Sequence, residues 1–267
     1  LGMKCANFLI MYKKKQKEWD EQWKLYQDNE LFLFKDWIYP SIIEDFRDKD
    51  VLECGCGGGQ HTSFISPYAK SVTAIDLNTI EIAKERNKNF NNISFIEGDI
   101  ANIKLKKKFD IVFSIGVIHH TDTPEKTVKN LIEHTMSGGK LIMWVYSKEG
   151  NFLVEYLVEP IRKIFLTKIP RKSLVLLSKL ITCLMYLPIY SIYLLPLDFL
   201  PFFQYFKNFR NMSFIRNSFT VFDKLNAPQV QFISKSRALN WLPRDKFSNI
   251  SISEHKGVSW RICGTKL

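Results

Sequence analysis

The chain has 267 residues, of which 46% are apolar, 24% charged and 14% aromatic. This composition excludes a wholly disordered chain, a collagen and a disulfide-stapled mini-protein, and the length suits one large domain or one domain with a substantial insertion. The net charge of +11 lies in the second half, because residues 151–267 hold 17 of the 38 basic residues and 6 of the 27 acidic ones. A basic half indicates an anionic substrate, an anionic membrane surface or nucleic acid.

Cysteine usage and the N-terminus bear on the compartment. The five cysteines are irregularly spaced, and two of them, Cys54 and Cys56, lie inside a glycine-rich turn. This pattern predicts reduced thiols with neither a disulfide framework nor a metal site. The N-terminus has no apolar core followed by a small-residue cleavage site, so we expect no signal peptide and a cytoplasmic protein.

The first 50 residues predict a helical arm. Residues 13–38 mix charged with aromatic side chains, and several aromatics recur at helical spacing, which indicates an amphipathic helix. These aromatics are Trp19, Trp23 and Tyr26. Pro40 starts or breaks a following helix that runs to about Asp48.

From residue 51 to residue 150, short apolar strands alternate with helices. The predicted strands are 51–54, 71–75, 93–96, 109–115 and 140–146, and the predicted helices are 80–90 and 124–136, with a tight turn at 137–139. Alternation at this interval predicts a parallel sheet that helices cover on both faces.

Residues 151–246 do not continue this pattern and are rich in large apolar residues. Residues 180–197 carry no charge, and their length approaches that of a transmembrane span, but Pro188 and Pro196 interrupt it. We therefore predict short buried or lid helices, able to lie on a membrane surface, in preference to a true span.

Two short segments close the chain. Residues 247–254 and 257–264 alternate with period two. We predict that they form a hairpin that completes the sheet. The predicted divisions are an arm at 1–50, a core at 51–150, an apolar basic helical insertion or lid at 151–246 and the hairpin at 247–267.

The most informative stretch is Val-Leu-Glu-Cys-Gly-Cys-Gly-Gly-Gly at residues 51–59. A strand runs into a turn without side chains, where the backbone can approach a ligand and a following helix N-terminus offers free N–H groups. The spacing is not Gly-x-Gly-x-x-Gly, because Gln60 occupies the last place. No Gly-Lys-Ser/Thr follows, which excludes a P-loop.

Three carboxylates lie at the ends of three successive strands beside this turn. Asp76 can accept hydrogen bonds from both ribose hydroxyls of an adenosine, and Asp99 can reach an adenine edge. Glu53 can order the turn or face a ligand ammonium. Each acid alone reads as a solvated loop residue, but together they favour a ligand with hydroxyls, an amine and a positive sulfur over a polyphosphate.

With these residues the sequence resembles the class I S-adenosylmethionine-dependent methyltransferases, closely over residues 50–150 and loosely over 247–264. The matching segments are Glu53-x-Gly55-x-Gly57-x-Gly59, Ala74-Ile75-Asp76-Leu77, Glu97-Gly98-Asp99-Ile100, Phe109 to His120, and Gly138-Gly139-Lys140-Leu141-Ile142. The resemblance implies a Rossmann-like, doubly wound α/β fold: a mostly parallel seven-stranded sheet with a C-terminal antiparallel hairpin and a helical insertion. It also implies S-adenosylmethionine as cofactor and S-adenosylhomocysteine as product.

The resemblance assigns cofactor contacts to individual residues. The glycine turn would contact the methionine part, Asp76 would hold the ribose, and Asp99 with Ile100 would frame the adenine. The N-terminal aromatic helix is similar to an arm that closes over the cofactor, although an apolar face packed on the domain explains it equally well. The predicted cofactor-binding residues are Glu53, Gly55, Gly57, Gly59, Asp76, Leu77, Asp99, Ile100, Ser114, Trp23 and Tyr26.

Two histidines are the candidate catalytic residues. His119 and His120 follow the fourth predicted strand, and a hydroxyl acceptor benefits from a general base that titrates near neutral pH. The alternative is that both are structural. His61 is predicted to be a positioning or incidental residue. His134 and His255 are predicted to lie on the surface.

The acceptor is the least defined part of the prediction. Residues 114–117 lack the Asn/Asp-Pro-Pro-Tyr/Phe segment typical of methylation at exocyclic base amines. We expect methyl transfer to a small-molecule, glycan-precursor or lipid-linked acceptor at oxygen. The alternatives are methylation of structured RNA, driven by the basic half, and a non-catalytic cofactor-binding membrane or partner protein. The insertion allows peripheral contact with an anionic membrane at its inner face, or oligomerisation, and a nucleic-acid partner is disfavoured.

Overall fold

The computed structural model describes residues 18–26, 30–77 and 79–267, and a seven-stranded sheet lies at its centre. The strands are β1 (Asp50–Cys54), β2 (Ser71–Asp76), β3 (Ile93–Glu97), β4 (Phe109–Ile115), β5 (Thr135–Tyr146), β6 (Phe247–His255) and β7 (Ser259–Lys266). Their order is β3-β2-β1-β4-β5-β7-β6. Strands β1 to β5 are parallel, and β7 runs antiparallel to both β5 and β6. The predicted fold class and hairpin are confirmed.

Helices cover both faces of this sheet and also form a separate layer in the insertion. They are α1 (residues 18–25), α2 (Leu31–Trp37), α3 (Gln60–Ile65), α4 (Ile80–Arg86), α5 (Pro124–His134), α6 (Glu159–Ile164), α7 (Arg171–Ile189), α8 (Phe203–Phe209), α9 (Phe214–Asn226) and α10 (Lys235–Trp241). Successive residues of a strand face opposite sides. Leu52 therefore packs with α5 and α10 in one core cluster, and Val51 packs with α2 and α3 in another.

The N-terminal arm differs from the single helix that the sequence predicts. Residues 18–25 and Leu31–Trp37 are two helical segments, and residues 13–17 and 27–29 lie outside the described part of the chain. The helix predicted after Pro40 is wrong, because only a single 3-10 turn forms at Ile43–Phe46. Its apolar residues Ile43 and Phe46 are buried under α2, which accounts for the apolar signal.

Two boundaries in the core also differ. The helix from residue 80 ends at Arg86, four residues early, and Asn87 follows it with its amide bonded to two backbone carbonyls. The tight turn predicted at 137–139 is wrong. These residues lie inside β5, where Gly138 adopts a φ of +76° and the pairing with β4 shifts register.

The insertion forms a helical layer with its own apolar core. The prediction of short helices is wrong for α7, which has 19 residues and contains Pro188 only in its last turn, one residue before the helix ends. Its buried side chains pack on α8, α9 and Tyr26 of the arm. In the described chain, α7 is long and apolar enough to cross a membrane, and 22% of that segment is buried in the protein. The four-part domain division stays a prediction.

The segment after α9 joins this layer to the end of the sheet. Ile233 donates to the carbonyl of Tyr146 and accepts from the indole of Trp260. Gln231 donates through its backbone to the carbonyl of His119. These bonds hold the insertion over the carboxyl ends of β1 and β4, where open α/β sheets bind ligands.

Candidate active site

A cavity of about 580 Å³ opens at the carboxyl ends of the parallel strands, between the core and the insertion. Eight of the predicted site residues line it: Gly55, Gly57, Asp76, Leu77, Asp99, Ile100, Trp23 and His120. Five do not: Glu53, Gly59, Ser114, Tyr26 and His119. The volume falls in the range of small-molecule and cofactor sites, which is about 300–1,000 Å³.

The glycine turn forms one wall of the cavity with bare backbone. Gly55 and Gly57 have φ values of +88° and +52°, a region that residues with a Cβ rarely adopt. A Cβ on Gly55 would lie 2.5 Å from Val117, and one on Gly57 would lie 2.7 Å from the Trp23 indole. Both positions therefore require glycine, for conformation and for space.

The third glycine of the turn, Gly59, positions helix α3. Gly59, with a φ of +78°, is the residue before α3, and its carbonyl accepts a 2.9 Å hydrogen bond from the Asn87 side chain. A Cβ there would meet Asn87 at 2.5 Å. Gly59 thus sets the position of α3 against α4 and lies outside the cavity lining.

Asp76 ends β2 and lies directly beside the glycine turn. One carboxylate oxygen accepts a 2.8 Å hydrogen bond from the N–H of Gly57, and the other accepts from the N–H of Leu77 at 2.7 Å. Each oxygen of a carboxylate has a second lone pair, so both can still accept from ligand hydroxyls. The side chain therefore fixes the glycine turn while it lines the cavity.

The next strand supplies the far end of this half of the cavity. Asp99 accepts from the N–H of Ala101 at 2.9 Å and from the side-chain amide of Asn102. Ile100 is buried beside it. An acidic side chain next to an apolar one matches a heteroaromatic ring that carries an amino group, which is what the sequence predicts for this position.

Two predicted contacts lie behind the cavity wall. Glu53 is 1% exposed, and its carboxyl accepts from the Thr62 hydroxyl, with His61 3.7 Å away. Burial raises the pKa of Glu53 to about 8 and lowers the pKa of His61 to about 3. Ser114 is fully buried and donates to the carbonyl of Cys54 at 2.8 Å. Both residues brace β1; of the two roles predicted for Glu53, its position matches the ordering of the turn.

The aromatic residues of the arm divide between two environments. Trp23 lines the cavity and lies against Gly57 and Gly58. Tyr26 is 7% exposed and stacks on Phe219 of α9, with ring centroids 4.5 Å apart. Trp23 is therefore placed to cover a ligand, whereas Tyr26 anchors the arm to the insertion.

The two adjacent histidines also differ. His119 is fully buried, and in the described chain neither ring nitrogen has a hydrogen-bond partner, while its ring lies 4.3 Å from that of Tyr146. His120 lines the cavity, and its Nδ1 lies 2.7 Å from the carbonyl of Gln229. A carbonyl only accepts, so Nδ1 carries the proton and Nε2 is the basic nitrogen. Burial lowers the pKa of both imidazoles.

The wall opposite the glycine turn comes from residues that the sequence motifs miss. Tyr146 at the end of β5 donates to Asp223 at 3.1 Å, and Gln22 of α1 donates to the other carboxylate oxygen at 2.8 Å. The Lys224 ammonium lies 4.5 Å from the centroid of the Tyr146 ring. All four residues line the cavity. The one available signal is spacing, since Arg216, Phe219, Thr220 and Asp223 share one face of a helix.

Two other histidines are placed differently from the prediction. His134 and His255 are buried rather than on the surface. His255 lies 2.9 Å from Asp36, and this hydrogen bond is the main cause that lowers the pKa of Asp36 to about 2. His134 accepts from the N–H of Leu105 at 3.0 Å. In the described chain no group of three His, Cys, Asp or Glu side chains could hold a metal ion.

Comparison with known proteins finds proteins that are similar to the core. Residues 52–143 match the family described as a methyltransferase domain. Over 106 residues the chain is 30% identical to a ubiquinone biosynthesis O-methyltransferase of Rickettsia canadensis, covering 39% of this chain and 45% of the relative. It is 31% identical over 97 residues to nodulation protein S of Azorhizobium caulinodans, covering 35% and 47%. A tRNA U34 carboxymethyltransferase of Pseudoalteromonas atlantica is 28% identical over 124 residues, covering 43% and 38%.

A solved structure is similar over a longer span. The N-methyltransferase NodS from Bradyrhizobium japonicum, in complex with S-adenosylhomocysteine, covers 53% of this chain and 75% of its own, with 22% identity and a TM-score of 0.44. The chain spans less than half the length of the curated relatives named above. The match over residues 52–143 agrees with the resemblance to class I S-adenosylmethionine-dependent methyltransferases, and S-adenosylmethionine is the cofactor of that class.

Proposed function

We propose that the protein transfers a methyl group from S-adenosylmethionine to an oxygen atom of a small-molecule, glycan-precursor or lipid-linked acceptor. One observation carries the proposal: a single cavity joins the glycine turn and its two strand-end acids to a second wall with a neutral histidine. The first wall matches an adenosyl sulfonium, and the second wall offers a proton acceptor.

The residues of the first wall fit the cofactor. Gly55 and Gly57 present bare backbone to the cavity, and Asp76 and Asp99 can accept from hydroxyl and amino groups. The aromatic face of Trp23 stabilises a positive sulfur or an adenine ring. When bound there, S-adenosylmethionine supplies a methyl group activated by that positive sulfur. Two predicted contacts, Glu53 and Ser114, would then act by holding β1 in place.

His120 is our candidate for the general base. Its Nδ1–H donates to the carbonyl of Gln229, which fixes the ring and leaves Nε2 able to take a proton from an acceptor hydroxyl. Burial lowers the pKa of His120, so the imidazole is neutral at pH 7. His119 supports this arrangement from behind, packed against Tyr146.

The nature of the acceptor is supported by the second wall. Tyr146, Tyr205 and Phe219 provide apolar ring surface, while Arg216 and Lys224 bring positive charge. One of the relatives named above is a ubiquinone biosynthesis O-methyltransferase. These observations favour an amphipathic small molecule or a lipid-linked precursor, methylated at oxygen.

Structured RNA is a second candidate acceptor. One relative is a tRNA U34 carboxymethyltransferase, and residues 151–267 carry 17 of the 38 basic residues. Binding to RNA would weaken steeply with salt, because phosphate contacts release counterions. A cofactor-binding protein without catalysis is a third candidate, and binding of the cofactor without turnover on any acceptor would support it.

The location and assembly of the protein are also proposals. We propose a cytoplasmic protein that contacts the inner face of an anionic membrane through its insertion. The exposed apolar side chains of residues 151–246 support contact with a membrane or a second copy, and the basic charge of this segment favours the membrane.

Labelled cofactor tests the proposed reaction. The protein is incubated with methyl-labelled S-adenosylmethionine and cell extract divided into lipid, glycan, small-molecule and RNA fractions. We expect label in one of the first three fractions, none with Asp76→Asn, and wild-type labelling with Asp198→Asn, which changes an exposed acid in the insertion. Label confined to RNA would reject the proposed acceptor, and no label in any fraction would reject catalysis.

A further inference from the structure

Helix α7 presents a row of exposed leucines. Leu176, Leu180, Leu184 and Leu187 follow one another at intervals of four, four and three residues, which places them on one face of a helix. They are 70%, 56%, 58% and 70% exposed. The opposite face of α7 is buried against the rest of the insertion. We call this row the leucine face.

The leucine face belongs to a wider apolar region. Of the 25 exposed large hydrophobic residues in the described chain, 17 lie between residues 152 and 215. Single exposed apolar residues are ordinary, but so many in one segment are more than the surface of a monomeric soluble protein usually carries. The core, which has a comparable length, carries far fewer.

The charge around this region is mainly positive. Residues 152–215 contain eight Lys and Arg residues and three acidic residues, Glu155, Glu159 and Asp198. Two exposed lysines, Lys172 and Lys179, lie on α7 beside the leucine face. Their long aliphatic stems can lie along apolar surface while their ammonium groups reach outward. An apolar face with flanking cations is complementary to a lipid bilayer that carries anionic headgroups.

We propose that the leucine face of α7 and the exposed apolar residues beside it insert into the interfacial layer of an anionic lipid bilayer, with α7 lying in the membrane plane. The opposite face supports this orientation. Leu174 and Ile189 are fully buried, and Tyr186 of α7 bonds to Asn217 of α9 at 2.9 Å. Crossing the bilayer would expose these contacts to lipid, whereas lying on it preserves them.

A second copy of the chain is a poorer occupant. Pairing two leucine faces would bring two sets of these cations together, and like charges at an interface oppose association. An anionic bilayer instead neutralises them. The neighbouring helices α8 and α9 also line the cavity, through Tyr205 and Arg216. The bilayer would thus lie beside the acceptor side of the cavity and favour a lipid-linked acceptor, a consequence that rests on the proposed function.

Vesicle binding tests the proposal independently of methyl transfer. The full chain is mixed with vesicles of phosphatidylcholine alone or with 30% phosphatidylglycerol, and bound protein is separated by flotation. We expect at least tenfold stronger partitioning to the anionic vesicles and a marked loss in 0.5 M NaCl, because salt screens the headgroup charge. Calorimetry with S-adenosylhomocysteine, performed without vesicles, tests the proposed function separately.

Matched variants locate the contact. Leu180→Glu/Leu184→Glu should lower partitioning at least tenfold, and Lys172→Glu/Lys179→Glu should lower it for anionic vesicles. Leu239→Glu, at an exposed leucine of α10, should bind as wild type does. Circular dichroism and S-adenosylhomocysteine affinity monitor folding. Equal binding by wild type and the α7 variants would overturn the proposal. A stable dimer in solution that does not bind vesicles would also overturn it, as would protein that only detergent releases from membranes.

Discussion

The core and the insertion build opposite walls of one cavity by different means. In the core, the wall is backbone at Gly55 and Gly57 together with side chains at the ends of β2 and β3, all fixed by sheet pairing. In the insertion, the wall is one face of α9 and parts of α8, held by an apolar core and by Gln22 of the arm. Positive and negative charges balance over residues 1–150, whereas residues 151–267 carry the whole net charge.

This difference separates two kinds of structural constraint. A turn with a positive φ and a neighbour within van der Waals distance accepts only glycine, so the glycine-turn wall can be recognised as a motif in the sequence. A helix face admits many side chains of similar size, so the acceptor side can vary with the substrate. Under the proposed function, the glycine-turn wall therefore defines the reaction, and the insertion wall defines what is methylated.

The largest expected effect comes from crowding the glycine turn. Gly55→Ala places a Cβ 2.5 Å from Val117 at a φ of +88°, so the turn must shift. We expect the affinity for S-adenosylhomocysteine to fall at least about 100-fold, a loss of about 2.8 kcal/mol, because the shifted turn changes the cavity wall that the ligand would contact. Calorimetry measures it.

Gly138→Ala is the control for the strain of a positive φ. Gly138 has a φ of +76°, and a Cβ there meets nothing within 4 Å. It should lower the free energy of unfolding by about 1 kcal/mol and leave ligand affinity unchanged. Similar affinity losses in both variants would show that strain, not the shape of the cavity wall, determines binding.

Substitution of each of the two adjacent histidines separates a catalytic role from a structural one. His120→Ala should lower kcat at least about 100-fold with cofactor affinity unchanged, because a general base contributes that much or more. His119→Ala should instead lower the free energy of unfolding, because its ring is fully buried. Single-turnover rates and thermal unfolding distinguish the two. Full activity in the His120 variant would reject its role as base.

The pH dependence of kcat is a second test of His120 as the general base. Burial is the largest cause that lowers the pKa of His120, so the neutral imidazole should persist below the usual value of about 6.5. We expect the midpoint of the acid-side decline in kcat to lie below pH 6.5, as the ring takes up a proton. A midpoint above pH 7 would contradict the assignment.

Sequence reasoning recovered the sheet and brought the glycine turn together with the strand-end acids, and it failed where tertiary packing decided the outcome. Gly55 and Asp76 were predictable because strand, turn and acid recur at fixed spacing along the chain. The buried positions of Ser114 and Tyr26 were not, since a strand end or a helix turn has two faces and the pattern does not say which faces the ligand. Asp223 and Lys224 lie on a helix that carries no motif, and their partner Tyr146 is 77 residues from Asp223.

The smallest effect on the site is expected from Glu53→Gln. Burial raises the pKa of Glu53 from 4.5 to about 8. Between about pH 4.5 and pH 8, the Glu53 carboxyl is therefore protonated in the folded protein and ionised in the unfolded chain. The free energy of unfolding should therefore fall as pH rises across this window, by at most about 1.4 kcal/mol per pH unit. Urea titrations should show this slope in wild type and a flatter one in the variant.

Ligand affinity completes that test. Glutamine keeps an oxygen that can accept from the Thr62 hydroxyl, so the turn should hold its shape and the affinity for S-adenosylmethionine should match that of wild type. A tenfold loss of affinity would instead place the Glu53 carboxylate on a ligand ammonium, the other role that the sequence allows.

Titration of the folded chain with S-adenosylhomocysteine in a calorimeter is the most direct measurement of the central claim. Binding at one site per chain, with the heat lost in Gly55→Ala and retained in Gly138→Ala, is the predicted result. Absence of heat with folded wild-type protein, or equal heat in all three proteins, would contradict the assignment of the glycine turn and strand-end acids as a cofactor site.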